Sequence, residues 1–207
     1  MKNLLAQFTT FFTATKGFIT ASYVTKYLGI DAFGVFSILL ATAGILSSLF
    51  AFRGGESITK FFTRETENKN FKAANGFLLI HIFLDLVISL IMIAILLSLA
   101  GFINQYFFEN QDFKYEYQLI VISTVLIYLR GSLIGFLQSK QKYNVINLIK
   151  IADVTLYGFL LAMLLWFKQE ISLIVFIKVF LFNSLAITIT FFFAALMTFV
   201  KMEIKGI

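Results

Sequence analysis

The chain has 207 residues, 59% of them hydrophobic and only 14% charged, with 27 Phe, no Pro and no Cys. Soluble domains carry about 25% charged residues, and a mean hydropathy of +0.89 sets this chain apart from them. The lack of Cys excludes disulfides and thiolate metal sites. The formal charge of +6 falls in short stretches between apolar runs, which reads as membrane topology and not as a nucleic-acid footprint.

Crossing about 30 Å of hydrocarbon takes about 20 mostly apolar residues in a helix. Runs of this kind lie at 8–27, 34–53, 76–100, 117–137, 149–167 and 173–199, so the expected fold is an all-α membrane protein of six transmembrane helices. The first run is the least apolar, carrying Thr9, Thr10, Thr13, Thr15, Lys16, Thr20, Ser22 and Thr25. Such a helix belongs inside a bundle rather than surrounded by lipid. It lacks the short apolar core and small-residue cleavage site of a signal peptide.

Between the second and third runs, Ile58, Phe61 and Phe62 recur at helical spacing among Lys60, Arg64 and Lys69. That pattern predicts a short amphipathic helix at headgroup level within 54–75. Residues 101–116 read as a loop with aromatics suited to the interface.

Basic residues alternate from one connection to the next. Arg53, Lys60, Arg64, Lys69 and Lys72 fall in one, Lys140, Lys142 and Lys150 around another, and Lys2, Lys201 and Lys205 at the ends. The intervening connections hold Asp31, then Glu109, Asp112, Lys114 and Glu116, then Lys168 and Glu170, with Lys26 at a helix end. If all six helices cross, the basic segments share one side, which the positive-inside rule makes cytoplasmic, with both termini there.

Ionisable groups inside a span cost about 2.5–3.5 kcal/mol at the helix centre and mark functional candidates. Lys16 sits near the middle of the first run, with Thr9, Thr13, Thr20, Tyr23 and Tyr27 at offsets that place them on its side. This is a cationic lining for an anionic substrate, or else a span that begins later and leaves Lys16 near an interface. His81, Asp85 and Ser89 follow an i, i+4, i+8 spacing on one face of the third run. They are candidates for coupling to a proton or Na⁺; the plainer alternative pairs Asp85 with a base on another helix.

Arg130, beside Gly131 and near Tyr128, either faces a phosphate or snorkels to the cytoplasmic surface. Asn147, Lys150, Asp153 and Tyr157 recur on one side of the fifth run. Asp153 is an ion-coupling candidate there, unless it pairs with Lys150 one turn away. Lys178, one turn into the sixth run, is within snorkelling reach of the surface.

Several chemistries leave no trace. The sequence has no Gly-rich loop ahead of Lys-Ser/Thr, no HExxH, no nucleophile elbow, no paired carboxylates suited to acid–base work and one His. No enzymatic activity, metal or cofactor is expected.

The run 21–36 (ASYVTKYLGIDAFGVF) resembles the segment joining the first two helices of polysaccharide (O-antigen type) flippases, within the multidrug/oligosaccharidyl-lipid/polysaccharide exporter superfamily. Residues 54–65 (GGESITKFFTRE) look like the cytoplasmic turn after the second helix of that family, and 135–143 (GFLQSKQKY) like the basic turn after the fourth.

The resemblance implies one six-helix lobe of a flippase-like bundle in the plasma (inner) membrane. It also implies translocation of a polyprenyl-pyrophosphate-linked oligosaccharide for polysaccharide or O-antigen (lipopolysaccharide) synthesis, around a cationic cavity. Lys16, Thr20, Tyr23 and Arg130 are the cavity candidates, and His81, Asp85 and Asp153 the ion-coupling candidates. Family members have two such lobes, so the expected partners are a second six-helix lobe or a second copy, besides the lipid-linked glycan and membrane lipids. The alternatives are an ion-coupled multidrug or metabolite exporter of the same superfamily, and a non-transporting membrane scaffold of a polysaccharide assembly complex.

Overall fold

The computed structural model describes residues 2–50, 54–108, 111–166 and 172–204, with backbone alone at 2–6 and 202–204. Arg53, Glu109, Lys168, Glu170 and Lys205 lie outside the described residues. The described residues form eight helices: α1 (Lys2–Leu28), α2 (Ile30–Ser48), α3 (Gly54–Glu67), α4 (Phe71–Ser98), α5 (Ala100–Phe108), α6 (Lys114–Ser139), α7 (Tyr143–Trp166) and α8 (Leu173–Ile204).

Five of them, α2, α4, α6, α7 and α8, are long and apolar enough to cross a membrane. Helix α1 has the length but not the apolarity, in keeping with its threonines and Lys16. Several helices overrun the apolar runs by a turn or more, because backbone hydrogen bonding does not stop where hydrophobicity does.

The surface is reversed relative to a soluble protein. On α4 the polar residues His81, Asp85 and Ser89 are buried, while Leu79, Ile80, Phe83, Leu86 and Leu90 are exposed. The same helix continues its buried face with Met92 and Leu96. In water this arrangement would leave large apolar side chains unburied and place polar groups where they need partners. In lipid it is favourable, since polar groups then turn inward. An all-α fold with five such helices and this surface is that of a multi-pass membrane protein.

Helix α6 is the hub, packing against α8, α3, α4 and α2, and touching α5 and α7. Helix α1 lies against α7 and α2. A single residue, Gly29, joins α1 to α2 at φ 90°, ψ 168°, a backbone conformation that L side chains rarely adopt. At the other end, Asn70 caps α4 by accepting a hydrogen bond from the Ala73 amide at 3.3 Å.

The amphipathic helix expected after the second span is α3. Its apolar face is covered by protein instead of headgroups: Ile58 and Phe62 are fully buried with Ala74, Leu78 and Phe136. Lys140, just past α6, lies 4.7 Å from the Phe62 ring centre, and burial lowers its ammonium pKa from the usual lysine value.

The stretch 101–116, expected as a loop, begins instead with the helix α5. Ala100 and Ile103, one turn apart, are buried in the main core with Tyr117 of α6, and this packing outweighs the polar residues around them. Asn104 then clasps the following turn, donating to Gln111 O at 3.1 Å and accepting from the Phe113 amide at 2.7 Å.

Helices α3 and α6 meet backbone to backbone. A Cβ added to Gly135 would collide with the Gly55 carbonyl and Cα, and one added to Gly55 would collide with the Gly131 carbonyl. Thr59 also donates to Gly135 O at 3.1 Å. Gly135→Ala is therefore expected to lower stability by about 1–3 kcal/mol through forced backbone shifts. Gly158→Ala, with open space around its Cβ, should gain up to about 1 kcal/mol from helix propensity. Thermal unfolding of both variants in detergent measures the contrast.

Candidate functional site

Lys16, Arg130 and Asp153 come from α1, α6 and α7. Each lies at least about 13 Å of helix from either end of its element, at 1.5 Å rise per residue. They converge on one carboxylate. Lys16 Nζ donates to Asp153 Oδ1 at 2.7 Å, and Arg130 Nη1 stands 3.9 Å from Oδ2. Asn183 of α8 donates to the same Oδ1 at 2.5 Å.

Two further groups of Arg130 are held by α8. Nη2 donates to Ser184 O at 2.7 Å and Nε to Thr188 Oγ1 at 3.0 Å. The Thr188 hydroxyl in turn lies 2.8 Å from Ser184 O and 3.1 Å from Leu126 O. Lys16 also lies 4.9 Å from the Tyr157 ring centre and 5.9 Å from that of Phe180, within cation–π range. Thr20 donates to the Tyr157 hydroxyl at 3.2 Å.

Two cations around one carboxylate leave one positive charge unneutralised. Of the three, Lys16 borders a pocket of about 370 Å³ between α1, α2 and α8, lined by Lys16, Thr20, Phe33, Phe36, Ser37 and Phe180 among others. Lys16 thus stands between the pocket in front and Asp153 behind.

Of the cavity candidates, Lys16 and Thr20 line this pocket. Arg130 is buried behind Asp153, and its contacts are with α7 and α8 instead of the surface, so it does not snorkel. Tyr23 is buried against Phe176, with its ring centre 6.0 Å away and its hydroxyl unpartnered. Two other threonines of α1 spend their hydroxyls on their own helix, Thr13 on Thr9 O and Thr15 on Phe11 O.

The ion-coupling candidates separate. Asp153 belongs to the cation cluster and not to Lys150, which is exposed; the one-turn spacing is outbid by donors from three other helices. His81 and Asp85 lie together on the buried face of α4. His81 Nδ1 is 3.0 Å from Phe77 O, a contact that requires a proton on Nδ1.

No base on another described helix reaches Asp85, so the expected alternative of an interhelical ion pair does not form among the described residues. Asp85 instead borders an almost wholly apolar pocket of about 320 Å³ between α4, α6 and α8, shared with Ser132 and Thr188. The Ser132 hydroxyl neighbours the carboxyl without hydrogen-bond geometry. Lys178 is exposed.

Asn183, Ser184 and Thr188 were not anticipated. Their signal was available as a short polar interruption of an otherwise apolar final run, with Ser184 and Thr188 one turn apart.

Removing one partner of a buried ion pair leaves an uncompensated charge and costs about 3–5 kcal/mol. Asp153→Leu is expected to show a loss of that size in detergent unfolding. The Lys16→Met/Asp153→Leu double variant should lose about 1–3 kcal/mol less than the sum of the single changes, the coupling expected of side chains in contact.

Comparison of the chain with protein-family models, with curated proteins and with solved structures finds no match in any of the three.

Proposed function

We propose that the chain is a transporter of polysaccharide assembly that moves a polyprenyl-pyrophosphate-linked oligosaccharide across the plasma (inner) membrane, as one six-helix lobe of a flippase. In this reading α1 is the sixth crossing and both termini are cytoplasmic. The observation that carries it is the net positive charge of the Lys16, Arg130 and Asp153 cluster, held at mid-helix depth with Lys16 on the wall of a pocket in an apolar bundle. A pyrophosphate headgroup is the cargo such a charge suits, since charge-assisted hydrogen bonds to phosphate are about twice as strong as neutral ones.

Translocation needs no bond to be made or broken. The lobe lowers the barrier by replacing water around the headgroup with fixed polar groups, and rocks against a second lobe about a midplane site. The resemblance of 21–36, 54–65 and 135–143 to polysaccharide flippases supports the same cargo.

Lys16→Glu and Arg130→Glu are each expected to lower surface glycan at least tenfold in cells that depend on this chain for export, measured by gel ladder of extracted glycan. Unchanged glycan in both rejects the cargo reading. Topology has its own test, because the sequence is free of cysteine. Lys142→Cys should react with a membrane-impermeant maleimide only after the membrane is opened, and labelling of intact cells overturns the orientation.

A second reading, an ion-coupled multidrug or metabolite exporter, is favoured by one observation: Asp85 borders an apolar pocket with no Lys or Arg paired to it among the described residues. Loss of drug resistance on Asp85→Asn, with glycan export intact, selects this reading.

A further inference from the structure

The two cations do not hold Asp153 equally. Lys16 is in full contact at 2.7 Å, on the oxygen that Asn183 also serves, whereas Arg130 stands off at 3.9 Å from the other oxygen. Arg130 is otherwise fixed to α8 by Ser184 O and Thr188. It therefore waits at a set position with part of its capacity unused. Lys16 alone of the three borders the α1/α2/α8 pocket, so an anion entering there meets Lys16 and competes with Asp153 for it. Asn183, fully buried, has its side-chain oxygen unpartnered at the same point.

We infer that Asp153 is a shared counter-ion: it neutralises Lys16 while the pocket is empty, and transfers to Arg130 when an anionic headgroup takes Lys16. This rests on the reading of the pocket as the seat of a pyrophosphate-bearing cargo. The physical need follows from the transport cycle. A carrier that releases its anion inside a low-dielectric bundle is left with a bare ammonium, and an unpaired buried charge costs several kcal/mol. A carboxylate that moves between two fixed cations keeps the charge on Lys16 compensated in both states. Arg130 is then a positioning residue: it accepts the released Asp153 and does not touch the cargo.

The test measures binding of inorganic pyrophosphate to the purified chain in detergent by calorimetry. Asp153→Asn removes the competitor and should tighten pyrophosphate binding at least tenfold. Arg130→Gln removes the acceptor and should weaken it about tenfold, yet have no effect on affinity in an Asp153→Asn background. A direct Arg130–anion contact predicts that the loss persists in that background, and this result overturns the inference. Equal or weaker binding by Asp153→Asn also overturns it.

Stability gives a second readout where Asp153→Asn lowers the unfolding temperature. Pyrophosphate should raise the Tm of that variant more than that of the unaltered chain at equal ionic strength, because ligand stabilisation grows with [L]/Kd. An equal or smaller rise counts against the inference. Lys16→Gln separates the two readings. If it abolishes pyrophosphate binding while Asp153→Asn fails to tighten it, the counter-ion role falls and the cargo reading stands. If pyrophosphate binds no variant, or binds regardless of Lys16, both fall.

Discussion

Hydrocarbon offers a polar group no partner, and the bundle is organised around that constraint. A charged side chain at mid-helix depth is costly unless it meets a complement on another helix or a pocket wall. The pairing of Lys16 with Asp153 is the main instance. It ties the least apolar helix, α1, to α7, and through Arg130 and Asn183 it draws in α6 and α8. The aromatic residues Tyr157 and Phe180 close around the ammonium, so the charge is held by electrostatics in a setting otherwise made of hydrocarbon. The same constraint explains α4, whose polar stripe is inside and whose large apolar residues are outside.

Packing then follows from where backbones can approach. Helix α6 sits at the centre because its glycines admit α3 at backbone contact on one side, while Arg130 binds α8 on another. Helix α3 is short and too polar to cross a membrane, yet it is part of the core through Ile58 and Phe62. The cluster of Lys16, Arg130 and Asp153 and the pocket beside Asp85 are linked by Thr188, which accepts from Arg130 and borders that pocket. A change at one can reach the other through a single hydroxyl.

Much of this was legible in the sequence, and the limits have physical causes. Apolar run length located the five helices that are long and apolar enough to cross, since thickness of hydrocarbon fixes helix length. Periodicity found α3 from Ile58, Phe61 and Phe62, because a face repeats every three to four residues. It missed α5, where only Ala100 and Ile103 are buried in the core. Cost of burial singled out Lys16, Arg130 and Asp153 as residues in need of partners. The partners themselves were not readable: spacing reports which face a residue occupies on its own helix, not which helix lies opposite. Lys150 was the nearest base to Asp153 in sequence, and it points outward. The unanticipated residues of α8 are small neutral polar groups, which carry little cost of their own and so give a faint signal.

The distance along the chain between Lys16 and its carboxylate bears on how the protein is made. The two are 137 residues apart. At about 5–20 residues per second of synthesis, the ammonium leaves the ribosome on the order of ten seconds before Asp153 exists. Throughout that interval α1 has α2 beside it but lacks both its counter-charge and α7. Its settled place in the bilayer is thus a late event of biogenesis, reached after α7 emerges, although α1 is translated well before α7.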